Sequence, residues 1–87
     1  LARWSGEEVI VLLPNTQLKD AINIANKYRE IIRKEKFMVA NTSIRVSLTA
    51  GVANIQDYAS IDECIKRADN LLYEGKSLGR DQVLPML

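Results

Sequence analysis

Eighty-seven residues make one small domain, near the lower size at which a single apolar core holds a fold together unaided. Twelve basic residues against eleven acidic leave a net charge of +1, so no global field recruits nucleic acid or an anionic membrane, and a negative partner needs a local site. The sequence has no histidine, which removes His-based triads and His–metal sites together, and its single cysteine, Cys64, excludes an internal disulfide and fits a reducing cytoplasm.

Composition is otherwise that of an ordinary globular domain, 47% hydrophobic and 26% charged. No apolar run in these 87 residues approaches the roughly 20 that span a bilayer, and none of them reads as a secretory signal. Leu1 leads straight into a structured pattern, which predicts a piece of a longer chain.

Val9 to Leu13 is a continuous β-favouring apolar run ended by Pro14-Asn15, and it predicts a largely buried strand followed by a turn. Leu1 to Trp4 is its expected hairpin partner, with Ser5-Gly6-Glu7 near the bend and Gly6 able to take a positive φ there. Thr16 is the expected N-cap of a helix running to about Lys36. Leu18, Ala21, Ile22, Ala25, Tyr28 and Ile32 define its buried stripe, and Lys27, Arg29, Glu30, Arg33, Lys34 and Glu35 its solvated face.

From Ser43 the period changes to two: Ile44, Val46, Leu48, Ala50 and Val52 alternate with Arg45, Ser47, Thr49 and Gly51, predicting one strand with a packed and an open face. Ser60-Ile61-Asp62-Glu63 fits a capping box and opens a second helix, with Ile61, Ile65, Ala68, Leu72 and Gly75 as its inner stripe. Cys64 falls near that stripe and reads as a small core residue rather than a nucleophile. Gly79 marks a left-handed helix end, and Val83 and Leu84 a short closing strand. The predicted order is hairpin, helix, strand, helix, strand, a mixed α/β or α+β layer.

Two constellations carry chemical potential. Glu7 and Glu8 offer hard oxygen donors suited to Mg²⁺, which commonly takes one or two carboxylates plus phosphate oxygens. Neighbouring residues on a strand point to opposite faces, so a solvated acidic turn satisfies the same residues. Lys76 and Arg80, four residues apart across a helix end, form a clamp on phosphate in one reading. In the other they simply complement the negative end of the helix dipole.

Taken together, three segments resemble the GGDEF domain, the family that includes the diguanylate cyclases. Arg3-Trp4-Ser5-Gly6-Glu7-Glu8-Val9 is similar to the namesake Gly-Gly-Asp/Glu-Glu-Phe loop and its preceding Arg. Leu48-Thr49-Ala50-Gly51-Val52-Ala53 looks like the family's Ser-x-Gly strand. The stretch from Ala68 to Asp81 resembles its Ala-Asp-x-Ala-Leu-Tyr-x-Ala-Lys-x-x-Gly-Arg-Asn helix end. Among the departures from the pattern, Ser5 stands for the first glycine, Val9 for phenylalanine, Gly75 for the usual alanine and Asp81 for the usual asparagine.

The resemblance implies a ferredoxin-like nucleotidyl cyclase palm. Its implied reaction condenses two GTP molecules into cyclic di-GMP with loss of pyrophosphate, each subunit of a homodimer holding one nucleotide and two Mg²⁺ or Mn²⁺ ions assisting. By position, Glu7 and Glu8 are the metal-binding and catalytic acids, Ser5 and Gly6 lie where backbone approaches the nucleotide, and Lys76 and Arg80 neutralise phosphates.

The family's other metal-binding Asp, its guanine-reading residues and an Arg-x-x-Asp inhibitory site belong upstream of the loop. The 87 residues are therefore expected to be the C-terminal part of such a domain and inactive alone. An edge left open at Val9–Leu13 or Ser43–Val52 is expected to pair by strand exchange, in a dimer or with the remainder of a longer polypeptide. A degenerate domain that binds GTP or cyclic di-GMP as a non-catalytic regulator is the alternative, and a purely structural dimerisation module is the third.

Overall fold

The computed structural model describes residues 2, 3, 9–11 and 13–86. Its elements are β1 (Ala2–Arg3), β2 (Val9–Ile10), α1 (Leu18–Lys34), β3 (Phe37–Val39), β4 (Thr42–Ile44), β5 (Ala50–Gly51), a 3-10 turn (Ile55–Asp57), α2 (Ile61–Ser77) and β6 (Val83–Leu84). Helix and sheet are mixed as predicted, with one addition to the order: the hairpin β3–β4 inserted after α1.

The first hairpin forms as expected, β1 pairing antiparallel with β2 through Ala2↔Ile10 and Arg3↔Val9. The apolar run beyond it was expected to be buried, but Val11 and Leu13 are exposed. Apolar composition gives strand preference; burial needs a covering layer, and none of the described elements supplies it there.

The N-cap of helix α1 falls one residue later than Thr16. Gln17 is the N-cap without a side-chain bond, and the Thr16 hydroxyl instead donates to the Pro14 carbonyl at 3.0 Å. Ile22, 2% exposed, anchors the helix, flanked by half-buried Leu18, Ala21, Ala25 and Ile32. Tyr28, placed in the predicted stripe, is exposed.

The alternating segment 43–52 is not one strand. Its first part joins β3–β4, with Phe37↔Ile44, Met38↔Ser43 and Val39↔Thr42, and its last part is β5 in another sheet. A period of two reports extended backbone but not which neighbour each part pairs with. The two-residue turn Ala40-Asn41 has φ of 48° and 66°, the paired positive values of a type I′ hairpin, without the glycine that normally signals one.

β5, α2 and β6 form a parallel β–α–β unit. Ala50 pairs with Val83 and Gly51 with Leu84, and amide bonds run from Ala50 to the Gln82 carbonyl at 3.0 Å and from Val52 to the Leu84 carbonyl at 2.9 Å. α2 opens as predicted: the Ser60 hydroxyl accepts from the Glu63 amide at 3.2 Å. The Glu63 carboxylate accepts from the Ala59 amide rather than from Ser60's own.

The buried residues of α2 are Cys64, Leu71 and Gly75, with Ile65, Ala68 and Leu72 half-buried and Ile61 exposed, so the inner stripe is turned slightly from the predicted one. Gly51 explains the turn. A Cβ there would run into the Ala68 carbonyl oxygen and stand 2.6 Å from the Leu72 nitrogen, so the strand lies directly on the helix backbone at this point. α1 also packs on β6, and Ile22, Cys64, Leu71, Val83 and Leu84 make up the buried apolar core among the described residues.

Candidate nucleotide site

Ser5, Gly6, Glu7 and Glu8 lie outside the described residues. The strands that flank them, β1 and β2, lie side by side. Among the described residues no group of three or more Asp, Glu, His or Cys is placed to hold a metal ion. In the sequence, the Glu7–Glu8 pair is a donor set whose chemistry fits a hard divalent cation completed by phosphate oxygens.

The described part of the site is the end of α2. Lys76 sits half-buried in the last helical turn, where the helix dipole favours a cation. The chain then leaves the helix through three successive residues of positive φ: Gly79 at 115°, Arg80 at 63° and Asp81 at 52°. Gly79 was expected; the two after it carry side chains, and each such residue costs on the order of 1 kcal/mol in backbone strain.

That strain is offset by bonds from three directions. The Gly75 carbonyl accepts from the Arg80 amide at 3.0 Å and from Gln82 Nε2 at 3.1 Å, and Gln82 Nε2 also donates to the Arg80 carbonyl at 3.2 Å. Thr49 Oγ1 accepts from the Asp81 amide at 2.9 Å. From α1, Arg29 Nη1 donates to the Asp81 carbonyl at 3.3 Å and to its Oδ1 at 3.2 Å. The Gly75 carbonyl, accepting both bonds, is therefore the hinge of the loop.

Arg29 was assigned to the solvated face of α1, yet its side chain is 18% exposed and tied into a charged cluster. Nη2 bonds Glu30 Oε1 at 2.9 Å, Nε bonds Asn26 Oδ1 at 3.1 Å, and Arg33 bridges Glu30 at 2.9 Å and reaches Asp81 Oδ2 at 3.8 Å. The sequence held the signal: Arg29 lies seven residues after Ile22, on the same helical face. Arg80, by contrast, is exposed, and among the described residues no carboxylate pairs with its guanidinium.

Cys64 is a buried free cysteine, as expected for a core residue. Burial, with the Asp57 carboxylate adding to it, pushes the pKa of its thiol above the ordinary range. No helix among the described residues is long and apolar enough to cross a membrane.

The described residues thus combine a short antiparallel hairpin, β1–β2, with a cation-bearing helix end that leads into the parallel strand β6. The family described as "Diguanylate cyclase, GGDEF domain" matches residues 1–82, and the chain belongs to it. The chain is 40% identical over 83 residues to Diguanylate cyclase DgcM of Escherichia coli (strain K12), covering 94% of this chain and 19% of that protein. It is 36% identical over 83 residues to Diguanylate cyclase A of Treponema denticola, covering 94% of this chain and 22% of that one. Response regulator PleD of Caulobacter vibrioides is 34% identical over 85 residues, again covering 94% of the chain and 19% of the relative. The chain thus spans about a fifth of the length of the curated relatives it matches.

Proposed function

We propose that the protein carrying this chain is a diguanylate cyclase and that the 87 residues form the C-terminal part of its catalytic domain. The observation that carries this is the family match over residues 1–82, joined to the chemistry of Glu7, Glu8, Lys76 and Arg80. The 3′-hydroxyl oxygen of each GTP gives up its proton and bonds to the α-phosphorus of the other, the bond from each α-phosphorus to its pyrophosphate breaks, and cyclic di-GMP, two pyrophosphates and two protons result.

In this reading Glu7 and Glu8 hold Mg²⁺ or Mn²⁺, which when bound supplies charge stabilisation to the reacting oxygens. Ser5 and Gly6 admit the nucleotide close to the backbone, and Lys76 and Arg80 neutralise its phosphates from the end of α2. A homodimer brings the two nucleotides together, in the cytoplasm where GTP is available. The 87 residues by themselves do not turn over GTP, because the family's further metal-binding Asp and guanine-reading residues have no counterpart among them.

The alternative, a non-catalytic regulator that binds GTP or cyclic di-GMP, draws support from Ser5 and Val9, where the namesake loop departs from the family pattern. Incubating the full-length protein with GTP and Mg²⁺ and measuring cyclic di-GMP decides between them. Product that falls by about 100-fold or more in Glu7→Ala supports the cyclase. Stabilisation by GTP without product supports the regulator, and neither product nor stabilisation leaves the structural module.

A further inference from the structure

Arg80 and Asp81 are adjacent residues of opposite charge in a loop of positive φ. Left to itself, the Asp81 carboxylate is the nearest partner for the neighbouring guanidinium, and a phosphate ligand would have to compete with it. The structure occupies that carboxylate from elsewhere. Arg29 Nη1 takes Oδ1 at 3.2 Å, Arg33 Nη1 lies 3.8 Å from Oδ2, and Arg29 also grips the Asp81 carbonyl at 3.3 Å.

We propose that Arg29 is a positioning residue for Arg80: from helix α1 it claims Asp81, holds the loop in its left-handed course and leaves the Arg80 guanidinium available to a nucleotide triphosphate. This rests on the phosphate-binding role given to Arg80 above. Both peptide units flanking the Arg80 Cα are fixed independently, one by the bond from the Arg80 amide to the Gly75 carbonyl, the other by Thr49 and Gln82. Arg29 adds the charge balance that these neutral bonds do not supply. A guanidinium suits the task because its planar fork reaches a carbonyl and a carboxylate at once.

The test is the affinity of the full-length protein for a non-hydrolysable GTP analogue, measured by calorimetry. Arg29→Ala weakens binding by about tenfold, because a misplaced or captured Arg80 no longer meets the phosphate. Adding Asp81→Asn to Arg29→Ala recovers most of that loss by removing the competing charge, an outcome a merely structural role for Arg29 does not produce. On an Arg80→Ala background, Arg29→Ala costs nothing further.

Should Arg29→Ala not fold, Arg29→Lys, which keeps the charge and loses the fork, weakens binding by about threefold. An affinity unchanged in the folded variant, or a further loss on adding Asp81→Asn, overturns the inference and leaves the cyclase reading standing. A wild-type protein that does not bind the analogue overturns both.

Discussion

In β6, Val83 and Leu84 are 4% and 6% exposed; in β3, Phe37, Met38 and Val39 are 44%, 65% and 56% exposed. Both are short apolar strands with a paired neighbour, β5 in one case and β4 in the other. What separates them is a third layer. β6 is packed by both α1 and α2, the latter in a β–α–β unit, whereas the β3–β4 hairpin has every residue exposed. Strand pairing satisfies the backbone in both places, but only layered packing turns apolar side chains into stability. The residues expected to meet phosphate, Lys76 and Arg80, are carried by the layered region.

The contrast is broken most severely at Gly51. In Gly51→Val the new side chain meets the Ala68 carbonyl and the Leu72 nitrogen, both backbone atoms that cannot step aside. Urea unfolding is expected to show a loss of about 3 kcal/mol. Met38→Ala in the hairpin, an equally apolar position, is expected to change stability by less than about 0.5 kcal/mol. Comparable losses at the two sites would erase the distinction.

A finer test lies at the junction of β5 and α2. A Cβ on Gly75 would stand 2.9 Å from Thr49 Cγ2. The family pattern has alanine at the first position and serine at the second, so the extra methyl of Thr49 fills the room that the alanine methyl would need. Gly75→Ala alone should lose about 1 kcal/mol, since the push on Thr49 outweighs the gain in helix propensity. Thr49→Ser should restore it, giving a coupling of about 1 kcal/mol in a double-mutant cycle. Additive effects would show that the two substitutions are unrelated.

How far these features were legible in the sequence follows the range of the interaction. The capping box at Ser60, the left-handed Gly79 and the closing strand Val83–Leu84 are local chemistry, and each was readable. The hairpin at Ala40-Asn41 was missed because its turn lacks glycine, and the division of residues 43–52 because alternation does not name a pairing partner. Thr49 and Asp81 meet across 32 residues, and Arg29 and Asp81 across 52. No local pattern reports such pairs, although Arg29's place on the Ile22 face was a hint. Of the proposed site, Lys76 and Arg80 are offered by the family motif, while the residues that hold their loop became visible only in three dimensions.

The central claim is that the loop after α2 is built before any nucleotide arrives. Amide hydrogen exchange in the full-length protein without GTP tests it directly, because the Arg80 and Asp81 amides are bonded to the Gly75 carbonyl and to Thr49. The account predicts that both exchange nearly as slowly as the amides of Leu71 and Leu72, and about 100-fold more slowly than those of the β3–β4 hairpin. Exchange at hairpin rates that slows only when GTP is added would contradict it.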